Sequence, residues 1–411
     1  MSSGGHEPLP FFVTISRLVG REQREHGERD SHVPGRRHGS RPAMLLTASF
    51  LVASLLATSS AALADPDGAP RAERAGADPS APVAPGVSLD RATRQAGRAT
   101  WGPDHSVSTF TGLDGKTYSR APWTTDGLNG TKYFGEEFDT ACGYGDRFDK
   151  GLKRYAALAR LIERSGRRVL ITIAPNKSSV NKADLIRSTV PHGRCARIGM
   201  KRQEASLDAF SDPHYVPMRA QLAALLESGQ QAYYHIDSHW TTIGHTRLAY
   251  QLARRLDPDL AAAQRYLVRG TRTITPDVAA LIGQPDIKET VPRRHILTPV
   301  TISTAPGSDD YHPVHGFTTD HTWHTSPARL TWPGRTAVIG DSFMFLALEG
   351  IRPLFRHGHF LWIGERSIPA IIKDIKRSDT VIIEIVQRYM PDSVLTAPRT
   401  RATLRAALAT P

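Results

Sequence analysis

Short apolar runs and amphipathic segments alternate through most of the chain. The apolar runs predict buried strands at 169–173, 232–236, 336–339, 359–363 and 380–386. Between and around them, apolar residues recur at helical spacing over 148–162, 218–226, 248–256, 343–355 and 368–375. Strand and helix therefore alternate, and we expect a three-layer α/β/α fold with a central, mainly parallel sheet. In such folds ligands bind at the carboxyl ends of the strands.

Two regions have less regular patterns. Residues 101–147 mix aromatic residues with Gly and Thr, which predicts short strands or loops that cover an edge of the core. Between 258 and 330 we predict a helical segment at 277–282 and a β-like stretch at 296–302.

An apolar stretch near the N-terminus has the pattern of a secretory signal. Residues 44–56 are apolar, arginines precede them, and Ala62-Leu63-Ala64 follows as a small-x-small cleavage pattern. An uncleaved membrane anchor is the alternative. The short apolar run disfavours it, because a spanning helix needs about 20 apolar residues.

The chain is accordingly expected to have four parts. Residues 1–64 form an N-terminal extension with the signal, and 65–100, rich in Ala and Pro, form a flexible linker. Residues 101–395 form the folded domain, and 396–411 form a C-terminal tail. This signal predicts a secreted, cell-surface or periplasmic protein.

Whether the two cysteines of the chain, Cys142 and Cys195, form a disulfide depends on whether the protein is exported. Two cysteines in so long a chain are either buried thiols or one structural disulfide. Since disulfides persist in oxidising compartments, the predicted export favours a Cys142–Cys195 bridge.

The number and distribution of charged residues indicate which class of molecule the protein can bind. The 411 residues include 52 Lys and Arg against 40 Asp and Glu, which gives a net charge of +12. The basic residues are mostly arginines in ones and twos, and no long basic run is interleaved with aromatic residues. This pattern argues against nucleic acid as a partner and fits a solvated surface or tolerance of anionic ligands.

Polar residues follow three of the predicted strands, in the segments 176–177, 237–239 and 340–342. Because the ends of parallel strands meet at one edge, Asp237, His239 and Ser342 can meet there. A serine hydroxyl needs a histidine to take its proton, and the histidine needs a carboxylate to fix its tautomer. Ser342 would also lie on a strand-to-helix turn, where backbone N–H groups are available to an oxyanion.

Each of these residues also has a plainer interpretation. Asp341 and Ser342 are typical capping residues, and Asp237 can cap the helix that follows it. His239, beside Trp240, can be a hydrogen-bonded core histidine. The three residues alone therefore leave a structural role open.

A metal site is a sharper alternative. His235, Asp237, His239 and His245 have ligand-like spacing. Four further histidines follow at His312, His315, His321 and His324. A zinc or iron hydrolase would use such groups around an activated water.

Four short blocks resemble a known family. They are APNKSSV at 174–180, DSHWTTIGH at 237–245, VIGDSF at 338–343 and IIEIVQRY at 382–389. In this order they resemble the SGNH-hydrolase-like domain of the alginate O-acetyltransferases AlgJ and AlgX. Ordinary SGNH hydrolases place the serine block first, whereas this family is circularly permuted, as the present chain is. The resemblance covers roughly residues 112 to 389 and implies an SGNH-hydrolase-like fold.

The resemblance also implies an activity. An extracytoplasmic enzyme of this type takes an acetyl group onto its serine and passes the group to a sugar hydroxyl. Ser342 would be the nucleophile, His239 the general base and then acid, and Asp237 its orienting partner. Residues 101–395 would then be the catalytic domain.

Five further residues are candidates for the oxyanion hole or for substrate contacts. Asn176 and Gly364 are the candidate oxyanion donors beside the Ser342 backbone N–H. Arg388 and Tyr389 are candidate contacts to an anionic or polyhydroxylated acceptor, and Lys177 either does the same or pairs with a carboxylate. For Arg388 the plain alternative is a surface salt bridge.

The implied partners are a polysaccharide acceptor and a membrane protein that delivers acetyl groups. No cofactor and no metal are implied. Three alternatives remain: a carbohydrate O-acetylesterase with the same triad, a non-catalytic glycan-binding module, and the histidine-based metallohydrolase.

Overall fold

The computed structural model describes residues 109–284, 286–305, 320–363 and 367–409. The predicted signal at 44–56, the linker at 65–100, Gly364, and the histidines at 312 and 315 lie outside these residues. Within the described part of the chain, none of the helices is both long enough and apolar enough to cross a membrane.

The strands and helices have the following bounds. The strands are β1 (Thr109–Thr111), β2 (Thr117–Ser119), β3 (Thr124–Asp126), β4 (Lys132–Phe134), β5 (Arg168–Ala174), β6 (Tyr266–Ile274), β7 (Glu289–Ile296), β8 (Thr301–Thr304), β9 (Asp320–Ser326), β10 (Trp332–Gly340), β11 (Phe355–Trp362) and β12 (Thr380–Val386). The helices are α1 (Glu136–Tyr144), α2 (Asp146–Glu163), α3 (Lys177–Val180), α4 (Arg194–Ala209), α5 (Arg219–Glu227), α6 (Thr242–Leu256), α7 (Pro258–Ala263), α8 (Asp277–Leu281), α9 (Ser342–Ile351), α10 (Ile368–Lys376) and α11 (Pro398–Leu408).

A six-stranded sheet in the order β5-β12-β10-β11-β9-β8 forms the centre of the domain. The first four strands run parallel, and β9 and β8 are added antiparallel at one edge. All seven residues of β12 are buried, as expected of a parallel strand with helices on both faces. In one group of helices α11 packs on α2 and α10, and in another α9 packs on α6. The predicted α/β fold with a mainly parallel sheet is confirmed.

The predicted strand at 232–236 is wrong. This stretch is irregular, with a single bridge between Tyr233 and Trp240. Most of its apolar side chains are buried as a strand's would be, but its backbone bonds run to scattered backbone groups and to side chains and do not form a ladder. Glu289, for example, accepts the N–H groups of His235 and Ile236.

The β-like stretch predicted at 296–302 is also divided. β7 ends at Ile296 and pairs with β6, whereas β8 begins at Thr301 and belongs to the central sheet. Pro299 lies in the break, where its missing N–H does not interrupt a ladder.

A second, smaller core lies beside the sheet. The pattern of 101–147 did not reveal α1, which packs against α4. The predicted Cys142–Cys195 disulfide is confirmed and joins these two helices. A Cβ at Gly112 would lie 2.7 and 2.9 Å from the two sulfurs, so only glycine lets the loop between β1 and β2 approach the bridge this closely.

The predicted C-terminal tail at 396–411 is partly a helix. Leu404 and Leu408 of α11 are buried and join the core of the sheet. The folded domain therefore continues beyond residue 395. The small Ala and Thr residues of this segment had suggested a tail because its apolar positions are few.

Removing the disulfide should destabilise the protein without altering the sheet. We expect the double substitution Cys142→Ser and Cys195→Ser to lower the free energy of unfolding by about 2–4 kcal/mol, because the unfolded chain gains loop entropy. Urea unfolding followed by circular dichroism measures this change. The wild type treated with a reductant is the control and should unfold with the variant; equal midpoints for variant and oxidised wild type would contradict the prediction.

Candidate active site

The turn after β10 is fixed by a carboxylate. Asp341 accepts the N–H of Phe343 at 2.9 Å through Oδ1 and the N–H of Val386 at 2.8 Å through Oδ2. The first contact caps α9, as the plain interpretation of Asp341 had it. The second ties the cap to the end of β12. Ser342 is the first residue of α9 and is half-buried at the carboxyl edge of the sheet.

A second carboxylate lies beneath the same turn. Glu384 on β12 accepts the backbone N–H groups of Asp341 and Met344, each at 3.2 Å. Burial, followed by the charge of Asp341, raises the pKa of Glu384 well above its usual value. A Cβ at Gly340 would lie 2.3 Å from the Met344 Cβ and 3.0 Å from Glu384 Oε2, so the turn requires glycine there.

Asp237, His239 and Ser342 form a continuous chain of hydrogen bonds. Asp237 Oδ1 accepts the backbone N–H of His239 at 2.8 Å and lies 2.7 Å from its Nδ1. On the other side of the ring, His239 Nε2 lies 2.8 Å from Ser342 Oγ. With Nδ1 donating to Asp237, Nε2 is the nitrogen that accepts from the hydroxyl.

Asp237 and His239 each stabilise the charged form of the other. Burial alone lowers the pKa of His239, but the Asp237 charge and hydrogen bond outweigh it and the pKa is raised. Burial alone raises the pKa of Asp237, but His239 and the backbone donors outweigh it and the pKa falls to about 2. The carboxylate is therefore ionised at neutral pH and favours a protonated imidazole beside it.

Lys177 holds the loop that carries Asp237 and His239. Its ammonium donates to the carbonyl oxygens of Tyr234, His235 and Asp237, each at 2.9 Å. The side chain is fully buried, and its three N–H donors match three acceptors. The predicted contact between Lys177 and substrate is therefore replaced by a structural role, because the ammonium has no donor left for a ligand.

Asp277 is a residue of the site that the sequence did not reveal. Its backbone N–H donates to Asp237 Oδ2 at 2.7 Å, and its carboxylate accepts the Ser238 N–H at 2.8 Å. Its Oδ2 lies 3.5 Å from His239 Nδ1. Burial and then the Asp237 charge raise the pKa of Asp277 to about 6. The only signal in the sequence was its position at the start of the predicted helical segment 277–282.

The histidines of the alternative metal site do not converge in the described part of the chain. His235 Nδ1 lies 3.2 Å from Thr131 Oγ1. His245 lies on α6 against Gly350, and burial lowers its pKa to about 4. The side chains that do come together are Asp237, His239 and Asp277, whose ligand atoms lie within 4.8 Å of one another. Both ring nitrogens of His239 in this group already face Asp237 and Ser342.

Arg388 is buried next to Phe343, so the surface salt bridge considered for it is wrong. Its side chain is 4% exposed, and its guanidinium carbon lies 5.0 Å from the Phe134 ring and 5.5 Å from the Phe343 ring. The Phe343 ring in turn lies 4.6 Å from the His239 ring. Among the described residues, no hydrogen-bond partner meets Arg388 Nε or Nη1.

Asn176 and Tyr389 lie at the same edge of the sheet. Asn176 follows β5, and its buried Oδ1 has no hydrogen-bond partner in the described ranges. Its backbone N–H donates to Gln387 Oε1 at 3.1 Å. The Tyr389 hydroxyl donates to Glu136 Oε2 at 2.6 Å. Asn176, Ser342 and Arg388 each lie two residues beyond the end of a parallel strand, which brings them to one edge.

Residues 133–314 match the family model of the SGNH hydrolase-like domain of the acetyltransferase AlgX. The resemblance to an AlgX-type, SGNH hydrolase-like domain is thereby confirmed. The AlgX-type segment includes Asp237, His239 and Asp277 and ends before Ser342. This domain type confirms the predicted enzyme class, an acyltransferase or esterase. No curated protein matches the chain.

Several solved structures are similar to the chain. The O-acetyltransferase domain of Pseudomonas putida AlgJ is 14% identical over 69% of this chain and 99% of that one, with a TM-score of 0.42. Bacillus cereus PatB1 with a sulfonyl adduct is 11% identical over 60% of this chain and 90% of that one, with a TM-score of 0.42. Pseudomonas aeruginosa AlgX is 14% identical over 69% and 62%, with a TM-score of 0.33.

Removing the Lys177 ammonium should release the loop that carries His239. Lys177→Met leaves the carbonyl oxygens of Tyr234 and Asp237 without this donor, whereas the His235 oxygen keeps the Lys132 N–H. We therefore expect a loss of at least about 2 kcal/mol in the free energy of unfolding. Chemical denaturation measures it. The matched control is Lys153→Met, which replaces an exposed lysine of α2 and should cost less than about 1 kcal/mol. Equal losses in the two variants would contradict the role of Lys177.

Replacing Asp277 should lower the pKa of His239. Asp277→Asn removes one of the negative charges that stabilise the imidazolium, while an amide can still bond Ser238. An NMR titration of the His239 ring measures the pKa. Asp374→Asn removes a buried carboxylate that lies beside His359 instead, and it should leave His239 unchanged. An unchanged or raised His239 pKa in Asp277→Asn would show that Asp277 does not act on the ring.

Proposed function

We propose that the chain is an extracytoplasmic, serine-dependent O-acetyltransferase that acts on a cell-surface or secreted polysaccharide. The observation that carries the proposal is the chain of hydrogen bonds from Asp237 through His239 to the Ser342 hydroxyl. The AlgX-type domain supports acetyl as the transferred group. A carbohydrate O-acetylesterase with the same triad is the alternative, because the two activities differ only in what attacks the acyl-enzyme.

The first half of the reaction loads the serine. His239 Nε2 takes the proton of Ser342 Oγ as the oxygen attacks the carbonyl carbon of an acetyl ester. The carbonyl oxygen becomes an oxyanion in the tetrahedral intermediate. When the intermediate collapses, the bond to the donor alcohol breaks, and His239 gives its proton to the leaving oxygen. Acetyl-Ser342 remains.

The second half transfers the acetyl group. A sugar hydroxyl attacks the carbonyl carbon of acetyl-Ser342 and gives its proton to His239. Collapse of the second intermediate forms the sugar ester, and His239 returns the proton to Ser342 Oγ. Asp237 stays ionised throughout and stabilises the imidazolium in both halves.

The oxyanion would be held at the start of α9. The N–H groups of Phe343 and Met344 already bond Asp341 and Glu384, whereas the Ser342 N–H is the first of the helix and has no intrahelical acceptor. We assign the Ser342 N–H as one donor and keep Asn176 and Gly364 as candidates for the others.

Arg388 and Tyr389 would contact the substrate. A buried guanidinium whose Nε and Nη1 lack partners in the described chain is costly. Binding a carboxylate or a polarised carbonyl oxygen beside Ser342 would offset this cost. The hydroxyl of the neighbouring Tyr389 donates to Glu136, which fixes the ring.

The location and partners are part of the same proposal. The disulfide fits an exported protein, as does the apolar signal pattern at 44–56. The acceptor would be a polysaccharide and the acetyl donor a membrane partner protein. The domain division proposed is an N-terminal extension with signal at 1–64, a linker at 65–100, and a catalytic domain from 101 that includes α11.

Removing the Ser342 hydroxyl should abolish acyl transfer. With a small chromogenic acetyl ester, Ser342→Ala should lose at least about a thousandfold in kcat/KM. Mass spectrometry should find an acetyl adduct on the Ser342 peptide of the wild type and none in the variant. Ser303→Ala, at an exposed serine of β8, is the matched control.

Other outcomes separate the alternatives. Turnover that survives Ser342→Ala and is stopped by a chelator would favour the metallohydrolase. Glycan binding with neither adduct nor turnover would favour a non-catalytic module. If added polysaccharide diverts acetyl from water to sugar, the enzyme is a transferase; if acetyl still goes to water with every acceptor, it is an esterase.

A further inference from the structure

Two buried carboxyl groups meet at the turn that carries Ser342. Asp341 precedes the serine, and Glu384 reaches the backbone of the same turn from β12. Both side chains are buried, and in the part of the chain that the structure describes neither belongs to an ion pair. Two like charges without a paired cation are costly in a buried place, so one of the two groups is expected to keep a proton.

The backbone donors indicate which group keeps it. Asp341 accepts one N–H on each oxygen, from Phe343 and from Val386. Glu384 Oε2 accepts two, from Asp341 and from Met344. Glu384 Oε1 is the one oxygen of the four that meets no donor among the described residues. Donors on both oxygens favour the ionised form of Asp341, whereas Glu384 has an oxygen free to carry a hydrogen.

The charges around the pair lead to the same assignment. Burial raises the pKa of Asp341, but its backbone donors and the positive charges of Arg388 and His239 oppose the rise. Burial and then the Asp341 charge raise the pKa of Glu384, and a hydrogen bond to the Asp341 side chain adds to the rise. The positive charges thus favour an ionised Asp341, which in turn favours a neutral Glu384.

The polar side chains of neighbouring elements do not supply the missing donor. Tyr155 and Tyr233 interact electrostatically with Glu384, and burial raises the pKa of both, so both are neutral. The Tyr155 hydroxyl donates to Ser393 Oγ at 2.7 Å, and the Tyr233 hydroxyl donates to a backbone oxygen at 2.6 Å. Thr172, opposite Glu384 on β5, donates to another backbone oxygen at 3.1 Å.

We propose that Glu384 is protonated in the folded protein and is a positioning residue, a neutral acid that donates to Asp341 while it accepts backbone N–H groups on both sides of Ser342. A neutral acid can donate and accept at once, which a carboxylate cannot. It also fixes the turn without a second negative charge beneath a serine whose reaction forms an oxyanion. The positioning role rests on the proposed function, whereas the protonation does not.

The first test compares the unfolding of the full-length wild type and of Glu384→Gln in urea at several pH values. The amide has nearly the shape of the neutral acid and also donates and accepts. A glutamate in the unfolded chain ionises above about pH 4.3, so the wild type releases a proton on unfolding and loses stability as the pH rises. From about pH 5 to about pH 7, the unfolding equilibrium constant of the wild type should rise about a hundredfold relative to that of the variant.

Glu289→Gln is the matched control. Glu289 is also buried, but each of its oxygens accepts a backbone N–H, one from His235 and one from Ile236. An amide there turns a donor towards a donor, so this variant should be less stable than the wild type at about pH 7. Glu384→Gln should be more stable than the wild type at that pH. A less stable Glu384→Gln, or a difference that does not grow with pH, overturns the protonation.

The second test measures the rate of acetyl-Ser342 formation from a small acetyl ester. Glu384→Gln should keep at least about a third of the wild-type rate, and Glu384→Ala, which leaves two N–H groups without an acceptor, should lose at least about tenfold. A full rate in Glu384→Ala overturns the positioning role, and so does a loss beyond about thirtyfold in a stable Glu384→Gln. If Glu384→Ala does not fold, the rate of Glu384→Gln decides alone. If the wild type forms no acetyl-Ser342, the proposed function fails, and the unfolding comparison still decides the protonation.

Discussion

The geometry around Ser342 depends on one buried ammonium. Lys177 follows the end of β5. Its ammonium donates hydrogen bonds to three carbonyl oxygens of a loop about sixty positions further along the chain. The loop belongs to no regular strand or helix at this point, so the three bonds of the ammonium add to a small number of scattered backbone bonds. Burial lowers the pKa of Lys177, whereas nearby carboxylates, Glu137 and Asp237 first, favour its charged form. A rigid loop is what keeps His239 within hydrogen-bonding distance of a serine on another element.

The carboxylates of the site form two layers with different tasks. Asp341 and Glu384 bond backbone N–H groups and fix the shape of the turn that presents Ser342. Asp237 and Asp277 lie beside His239, and their negative charges raise its pKa. Because each layer is buried and hydrogen-bonded, the imidazole and the hydroxyl are positioned before a substrate arrives, which limits the reorganisation needed during reaction.

Much of the site could be predicted from the chain because its parts follow local rules. The apolar runs at 169–173 and 380–386 match strands, and the glycine-containing turn before Ser342 is a strand-to-helix turn. Asp277 could not be predicted, because it acts through its backbone N–H on Asp237, 40 positions away. The irregular stretch at 232–236 carries the side-chain pattern of a strand, and only the partners of its backbone distinguish the two. For Arg388 a surface salt bridge stayed open beside the substrate contact, since nothing local predicts the aromatic rings that bury it.

The two hydrophobic cores support different parts of the domain. His239 and Ser342 are each followed by a residue of the sheet's core, Trp240 and Phe343. The hairpin of β1 and β2 packs through Phe110 and Tyr118 on the small core around the disulfide. Substitutions in the small core can alter this hairpin while the sheet keeps the hydrogen bonds of Asp237, His239 and Ser342. The surface built on the small core can therefore diverge between related chains without any change to the turn that carries Ser342.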